Sequence, residues 1–333
     1  MSPVRESQPA AQDARPPGFV PGLKTGFLQG LRKGTHGFLW ICRILVPVSF
    51  AVALLDWTGW LYALDPIFQP VMGLINLPPQ AALPILLAIV SSFYAALGMI
   101  VVIPFSTEQV ILLAIFIMIA HMLIMEGLIQ HKSGISLAKI DAIRLVTAGL
   151  TVFAVSQFFS GTEAPVALPG ALGVHATLLD TLAGWTLSTL RLLLKILIII
   201  MAVMVVLETL KVLGWNERLA TFFRPFMAVL GLSPNVTTMW VAGAFFGIIY
   251  GSAVIMEEAA SGRFAEDELE RLHISLGINH SIVEDPALFL ALGIGPFWTL
   301  VPRFIAAAVA VQLYRLVDAA RSRSKSRASS GPA

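Results

Sequence analysis

Cysteine is nearly absent from this chain. Cys42 is the single thiol in 333 residues, which excludes an internal disulfide and any CxxC metal or redox motif. Charge is scarce as well: Asp, Glu, Lys and Arg make up 13% of the residues, against about 25% in soluble domains. That shortage excludes an ordinary soluble fold. Three catalytic signatures are missing, HExxH, GxSxG and GxxxxGK[ST]. These place a protease zinc, an esterase serine and a nucleotide phosphate respectively. The expectation is a protein that is not an enzyme and carries no cofactor. A formal net charge of +2 gives no reason to expect a nucleic-acid partner.

Apolar residues fill the space that charge leaves. They form 57% of the chain, and the mean hydropathy is +0.82. The composition is that of an all-α polytopic membrane protein whose first partner is the lipid bilayer. Basic residues gather at the two ends, from Arg5 to Arg43 and from Arg315 to Arg327. The first apolar run starts too far in for a cleavable signal peptide. Residues 1–37 read as a disordered cytoplasmic tail and 319–333 as a basic C-terminal tail.

The chain repeats itself. GWLYALDPIFQPVMGLINLPP from Gly59 aligns without gaps on GWNERLATFFRPFMAVLGLSP from Gly214, matching Trp60/Trp215, Phe68/Phe223, Pro70/Pro225 and Pro79/Pro234. Farther on, Tyr94 pairs with Tyr250. Then Phe105/Phe264, His121/His280, Glu126/Asp285 and Arg144/Arg303 follow in order. The ordered series implies two copies of one unit, 38–160 and 186–318, joined by an external loop at 161–185.

Eight segments have the apolar length of a membrane helix: about 38–58, 80–103, 108–130, 141–160, 186–210, 235–256, 268–292 and 297–318. Eight plain spans would put the basic loop 131–144 outside, against the positive-inside bias. The conflict disappears if 80–103 and 235–256 are re-entrant hairpins. Each half, about 11 residues or about 16 Å, reaches the bilayer midplane. Small residues at 91–98 and 243–253 allow the turn. Each repeat then has three transmembrane helices plus a re-entrant hairpin, and the odd number of crossings inverts the second copy. Both termini fall on the cytoplasmic side of a bacterial inner membrane. Segments 60–77 and 216–232 mix aromatics, charge and proline, and read as helices lying in the interface.

Polar residues cluster in GINHSIVEDPALFLALGIGP, Gly277 to Pro296. On a continuous helix His273, Gly277, His280 and Glu284 share one face. Asn279, Ser281 and Asp285 flank that stripe. Pro286 leaves the Ile282 carbonyl without its helical donor. Ionisable side chains in a span cost about 3 kcal/mol each on insertion scales and usually face a cavity or a partner. His121 and Glu126 hold the corresponding places in the first copy, and Tyr250 and Ser252 lie in the second hairpin. Asn279, His280, Ser281, Glu284, Asp285, His121, Glu126, Tyr250 and Ser252 are therefore the candidate solute- or ion-binding residues, with the chemistry expected mainly in the second copy. The same groups could instead only tie helices together. HSIVE has His–Glu spacing that could ligate a metal, but two ligands define no specific site.

GAFFGIIYGSAVIMEEAASG followed by LGINHSIVEDPALFLALG resembles the nucleoside recognition, or Gate, domain. That domain occurs in spore maturation proteins, ferrous iron permeases and concentrative nucleoside transporters. The resemblance covers about 190–318 and extends more weakly through the repeat. It implies a membrane protein that gates or binds a small polar solute. Two functions follow as expectations: a transporter or permease component, or a non-transporting membrane scaffold. A homo-oligomer is compatible with either.

Overall fold

The computed structural model describes residues 19–159, 177–260 and 262–329. Those residues are helical, joined by turns and short loops, with no strand among them. In chain order the helices are α1 (Phe19–Trp57), α2 (Asp65–Gly73), α3 (Ala82–Val90), α4 (Phe93–Ile100), α5 (Thr107–Ala120), α6 (Leu123–Lys132) and α7 (Leu137–Ser156). There follow α8 (Leu178–Val212), α9 (Asn216–Phe223), α10 (Phe226–Val229), α11 (Thr237–Ala260), α12 (Glu266–Asn279), α13 (Glu284–Ala291) and α14 (Pro296–Ser329). Among the described residues, four helical stretches are long and apolar enough to cross a membrane: 19–57, 107–132, 178–212 and 296–320.

The polarity is inside out. Leu187, Leu190, Leu194 and Ile198 on α8, and Val301, Ile305, Val309 and Leu313 on α14, are exposed at helical spacing. An apolar stripe turned outward has hydrocarbon as its natural solvent. Buried charge sits inside instead, on Glu126, Arg144, Asp285 and Arg303.

α1 and α8 lie antiparallel along their length. Gly26, Gly30 and Gly34 meet Thr209, Val205 and Met201 in turn, so one number rises as the other falls. A Cβ on Gly30 would stand 2.4 Å from the Val205 Cα; the stripe lets two backbones approach as small-xxx-small helices do. Lys33 Nζ closes this end on Glu208 at 2.7 Å. The glycine stripe corrects one expectation. Residues 19–37 are the first half of a long helix, not part of a disordered tail, because the packing needs glycine where sequence reading took glycine for flexibility. Likewise, 178–185 opens α8 and does not belong to the loop, and α14 runs on to Ser329 through most of the expected basic tail. Positions 161–176 of the expected external loop lie outside the described residues.

α11 is bent back on itself. Gly247 has φ 78° and ψ 162°, which no helix contains. A Cβ on Gly251 would meet the Gly243 Cα at 2.7 Å, although eight residues of straight helix span about 12 Å. Segment 235–256 is therefore a helical hairpin and not one straight rod. α3 and α4 break at the aligned place: Ser92 is extended, and its Oγ accepts from the Ala95 N–H at 3.2 Å to start α4.

α5 is apolar all round, with every residue from Val110 to Ala120 buried. Such a helix has no wet side and must be covered by others. A reciprocal Ser106–Gln109 capping box starts it. α12 is buried without interruption from Leu272 to Asn279. These two central helices deliver the site.

Candidate functional site

α5 and α12 both stop at a histidine. The next residues, Met122 and Ser281, adopt φ 47° and 48°, a left-handed conformation that costs a non-glycine residue about 1–2 kcal/mol. The chain then resumes as α6 and α13. A backbone bond and an arginine hold the break in each copy. The N–H of Met122 donates to the Ala88 carbonyl at 2.7 Å, and that of Ile282 to the Ala244 carbonyl at 2.8 Å. Arg144 donates to the carbonyls of Ile119 and His121, each at 2.8 Å. Arg303 donates to those of Ile278 at 3.2 Å and His280 at 2.7 Å. Two fully buried guanidiniums thus replace the helical donors that the breaks remove.

The two histidines meet. His121 Nε2 and His280 Nε2 are 3.2 Å apart. Glu126 Oε1 lies 3.4 Å from the first and 3.3 Å from the second. Its other oxygen is 2.9 Å from Arg144 Nη2, an ion-pair distance without hydrogen-bond alignment. Asp285 Oδ2 stands 4.0 Å from His121 Nε2 and has no hydrogen-bond partner. The hydrogen-bond network assigns the imidazole tautomers. Each Nδ1 lies 2.9 Å from a backbone carbonyl, of Ile117 and of Leu276. A carbonyl only accepts, so each Nδ1 carries a hydrogen, and in the neutral ring Nε2 presents a lone pair to the centre.

The sequence-expected residues divide into four groups. His121, Glu126, His280 and Asp285 come together. Ser281 supplies the left-handed turn between His280 and α13. Glu284 faces away to Tyr94, whose hydroxyl donates to it at 2.9 Å. Asn279 is fully buried with neither amide atom hydrogen-bonded, and Ser252 is buried in the second arm of α11. The side chain of Tyr250 lies outside the described residues. Three expectations are corrected. His273, Gly277, His280 and Glu284 do not form one stripe, because the helix ends at Asn279; His273 instead donates through Nε2 to the Ser133 carbonyl at 3.1 Å. Nor is the centre mainly in the second copy, because the acid touching both imidazoles is Glu126 of the first. The break also comes from Ser281, with Pro286 seated harmlessly in the first turn of α13.

Arg144, Arg303 and Tyr94 escaped sequence reading as site residues. The signal existed, since all three matched across the repeat and Arg303 sits in an otherwise apolar segment. A cavity of about 600 Å³ lies elsewhere, between Glu217, Arg224, Asn235 and Arg263. At the histidine centre His121, Glu126, His280 and Asp285 are all buried.

A curated relative is 28% identical over 282 residues, covering 84% of this chain and 90% of its own length: the uncharacterized membrane protein YvoD of Bacillus subtilis (strain 168). This chain is a helical membrane protein. No family profile matches it and no solved structure matches it.

Proposed function

We propose that the chain is a transporter or permease component for a small polar solute or ion, with its site between two oppositely oriented units. One observation carries this reading: a histidine from each unit meets a shared carboxylate at two broken helices. Glu126, Asp285, Arg144 and Arg303 all lie inside an apolar protein, where each ionisable group costs several kcal/mol in hydrocarbon, about 3 on insertion scales. Broken helices with buried charge at their junction are how many secondary transporters build a solute site. Inversion is supported by α1 and α8, which occupy corresponding places in the repeat and run antiparallel. The bend of α11 supports a re-entrant hairpin, tolerated at depth only where protein or water surrounds it. The resemblance of 190–318 to the nucleoside recognition domain favours a small polar solute. The basic loops favour a bacterial inner membrane with both termini cytoplasmic.

Flux in proteoliposomes tests the proposal, comparing intact protein with Glu126→Gln and His280→Ala over a panel of cations, amino acids and nucleosides. The expected result is flux of one class that falls at least tenfold in both variants. Absence of flux across the panel, or flux indifferent to the substitutions, would favour a scaffold whose polar groups only lock helices.

A further inference from the structure

We infer that His121 Nε2, His280 Nε2 and Glu126 Oε1 form the binding site of a divalent transition-metal ion, with Asp285 as the neighbouring acid. The inference names the solute class of the site proposed above and rests on that site being the solute's. With both imidazoles neutral, three acceptors converge here, since both Nδ1–H groups are committed to backbone carbonyls. A cation, whether metal ion or proton, is what such lone pairs bind.

Distance separates a metal from a proton. Zinc binds histidine nitrogen and carboxylate oxygen at about 2.0–2.1 Å, so the edges of its tetrahedron measure about 3.3–3.4 Å. The observed edges are 3.2, 3.3 and 3.4 Å. A proton shared along one edge would shorten that edge toward the usual hydrogen-bond distance of about 2.9 Å and leave the third group unsatisfied. All three edges match a metal together.

The surroundings fit as well. Ligating histidines ordinarily donate their other nitrogen to a carbonyl or carboxylate, which fixes the ring and its tautomer. Both histidines do so here. Arg144 holds the far oxygen of Glu126 at 2.9 Å and leaves Oε1 for the centre. Its positive charge and that of Arg303 oppose a cation, while Glu126 and Asp285 favour one. Asp285, 6% exposed, has an unpartnered oxygen 4.0 Å from His121 Nε2. Two imidazoles with carboxylate select the imidazole-binding metals, such as zinc, iron and nickel, over calcium or magnesium, which prefer all-oxygen shells.

The test uses the purified full chain in detergent, stripped with a chelator and titrated with Zn²⁺ by calorimetry. Co²⁺ serves as a second probe, because a tetrahedral site gives it intense visible absorption. One equivalent of Zn²⁺ is expected. Affinity should drop at least tenfold in Glu126→Gln, vanish in His121→Gln/His280→Gln and survive in His273→Gln, which lies outside the centre. If the double variant fails to fold by circular dichroism, His280→Asn takes its place, with the Co²⁺ band as readout. Absence of binding, or binding unchanged in these variants as at a surface histidine, overturns the inference. Binding without metal flux keeps the site and overturns the transport reading. Flux of another solute without Zn²⁺ or Co²⁺ binding keeps transport and overturns the metal.

Discussion

Arg144 and Arg303 do the same backbone work but differ in electrostatic load. Both donate to the carbonyls at a helix break, yet only Arg144 pairs with an acid, Glu126 at 2.9 Å. Removing one member of a buried ion pair strands the other and costs about 3–5 kcal/mol. Losing charged hydrogen bonds alone costs about 1.5–3 kcal/mol. Arg144→Gln should therefore destabilise more than Arg303→Gln, as thermal or denaturant unfolding in detergent would show. Equal losses would mean that Glu126 gains nothing from the pair. Met122 offers a second check at this scale. A β-branched residue tolerates φ near 47° worse than Met does, so Met122→Ile should lower the unfolding midpoint and weaken whatever His121 binds. The histidines and acids were legible in the sequence because polar residues stand out in an apolar chain and recur across the repeat. The arginines were hidden by their position, 23 residues beyond the carbonyls of His121 and His280 that they serve. No spacing rule reaches that far.

At the scale of elements, glycine does two opposite jobs. In α1 it removes side chains so that a long straight helix can touch α8. In α11 it permits a backbone angle that ends one helix and starts another. Sequence reading saw the second use, in the hairpin at 243–253, and missed the first, because a glycine stripe at spacing four looks like loop composition until a partner helix is known. Both uses can be tested by unfolding. Gly30→Leu forces a side chain into the Val205 backbone, and overpacking costs about 1–3 kcal/mol. Gly251→Ala drives the hairpin arms apart at Gly243, and neither backbone can yield cheaply. Each should lower stability, with Gly251→Ala also reducing function because that arm carries Ser252. The continuous stripe from His273 to Glu284 failed for a related reason. A helix period assumes an unbroken helix, and the left-handed Ser281 resets the phase.

On the scale of the whole molecule, two units meet at their helix breaks. Recurrence of the carbonyl, arginine and left-handed positions in both copies makes the centre nearly symmetric. Glu126 against the shorter Asp285 breaks that symmetry and draws the acid toward one side. Orientation in the bilayer is a separate question from this internal geometry, and labelling answers it. If the units are inverted, a single cysteine introduced at Ser133 is labelled only from the cytoplasm and one at Thr162 only from outside. The scarcity of cysteine makes the central claim directly measurable. With Cys42→Ala as background, Ser281→Cys places a thiol beside His280 in sealed vesicles. The account predicts slow labelling by a small impermeant reagent, with protection by the bound solute. A thiol inert from both sides until the protein is unfolded would show a sealed structural centre and contradict it.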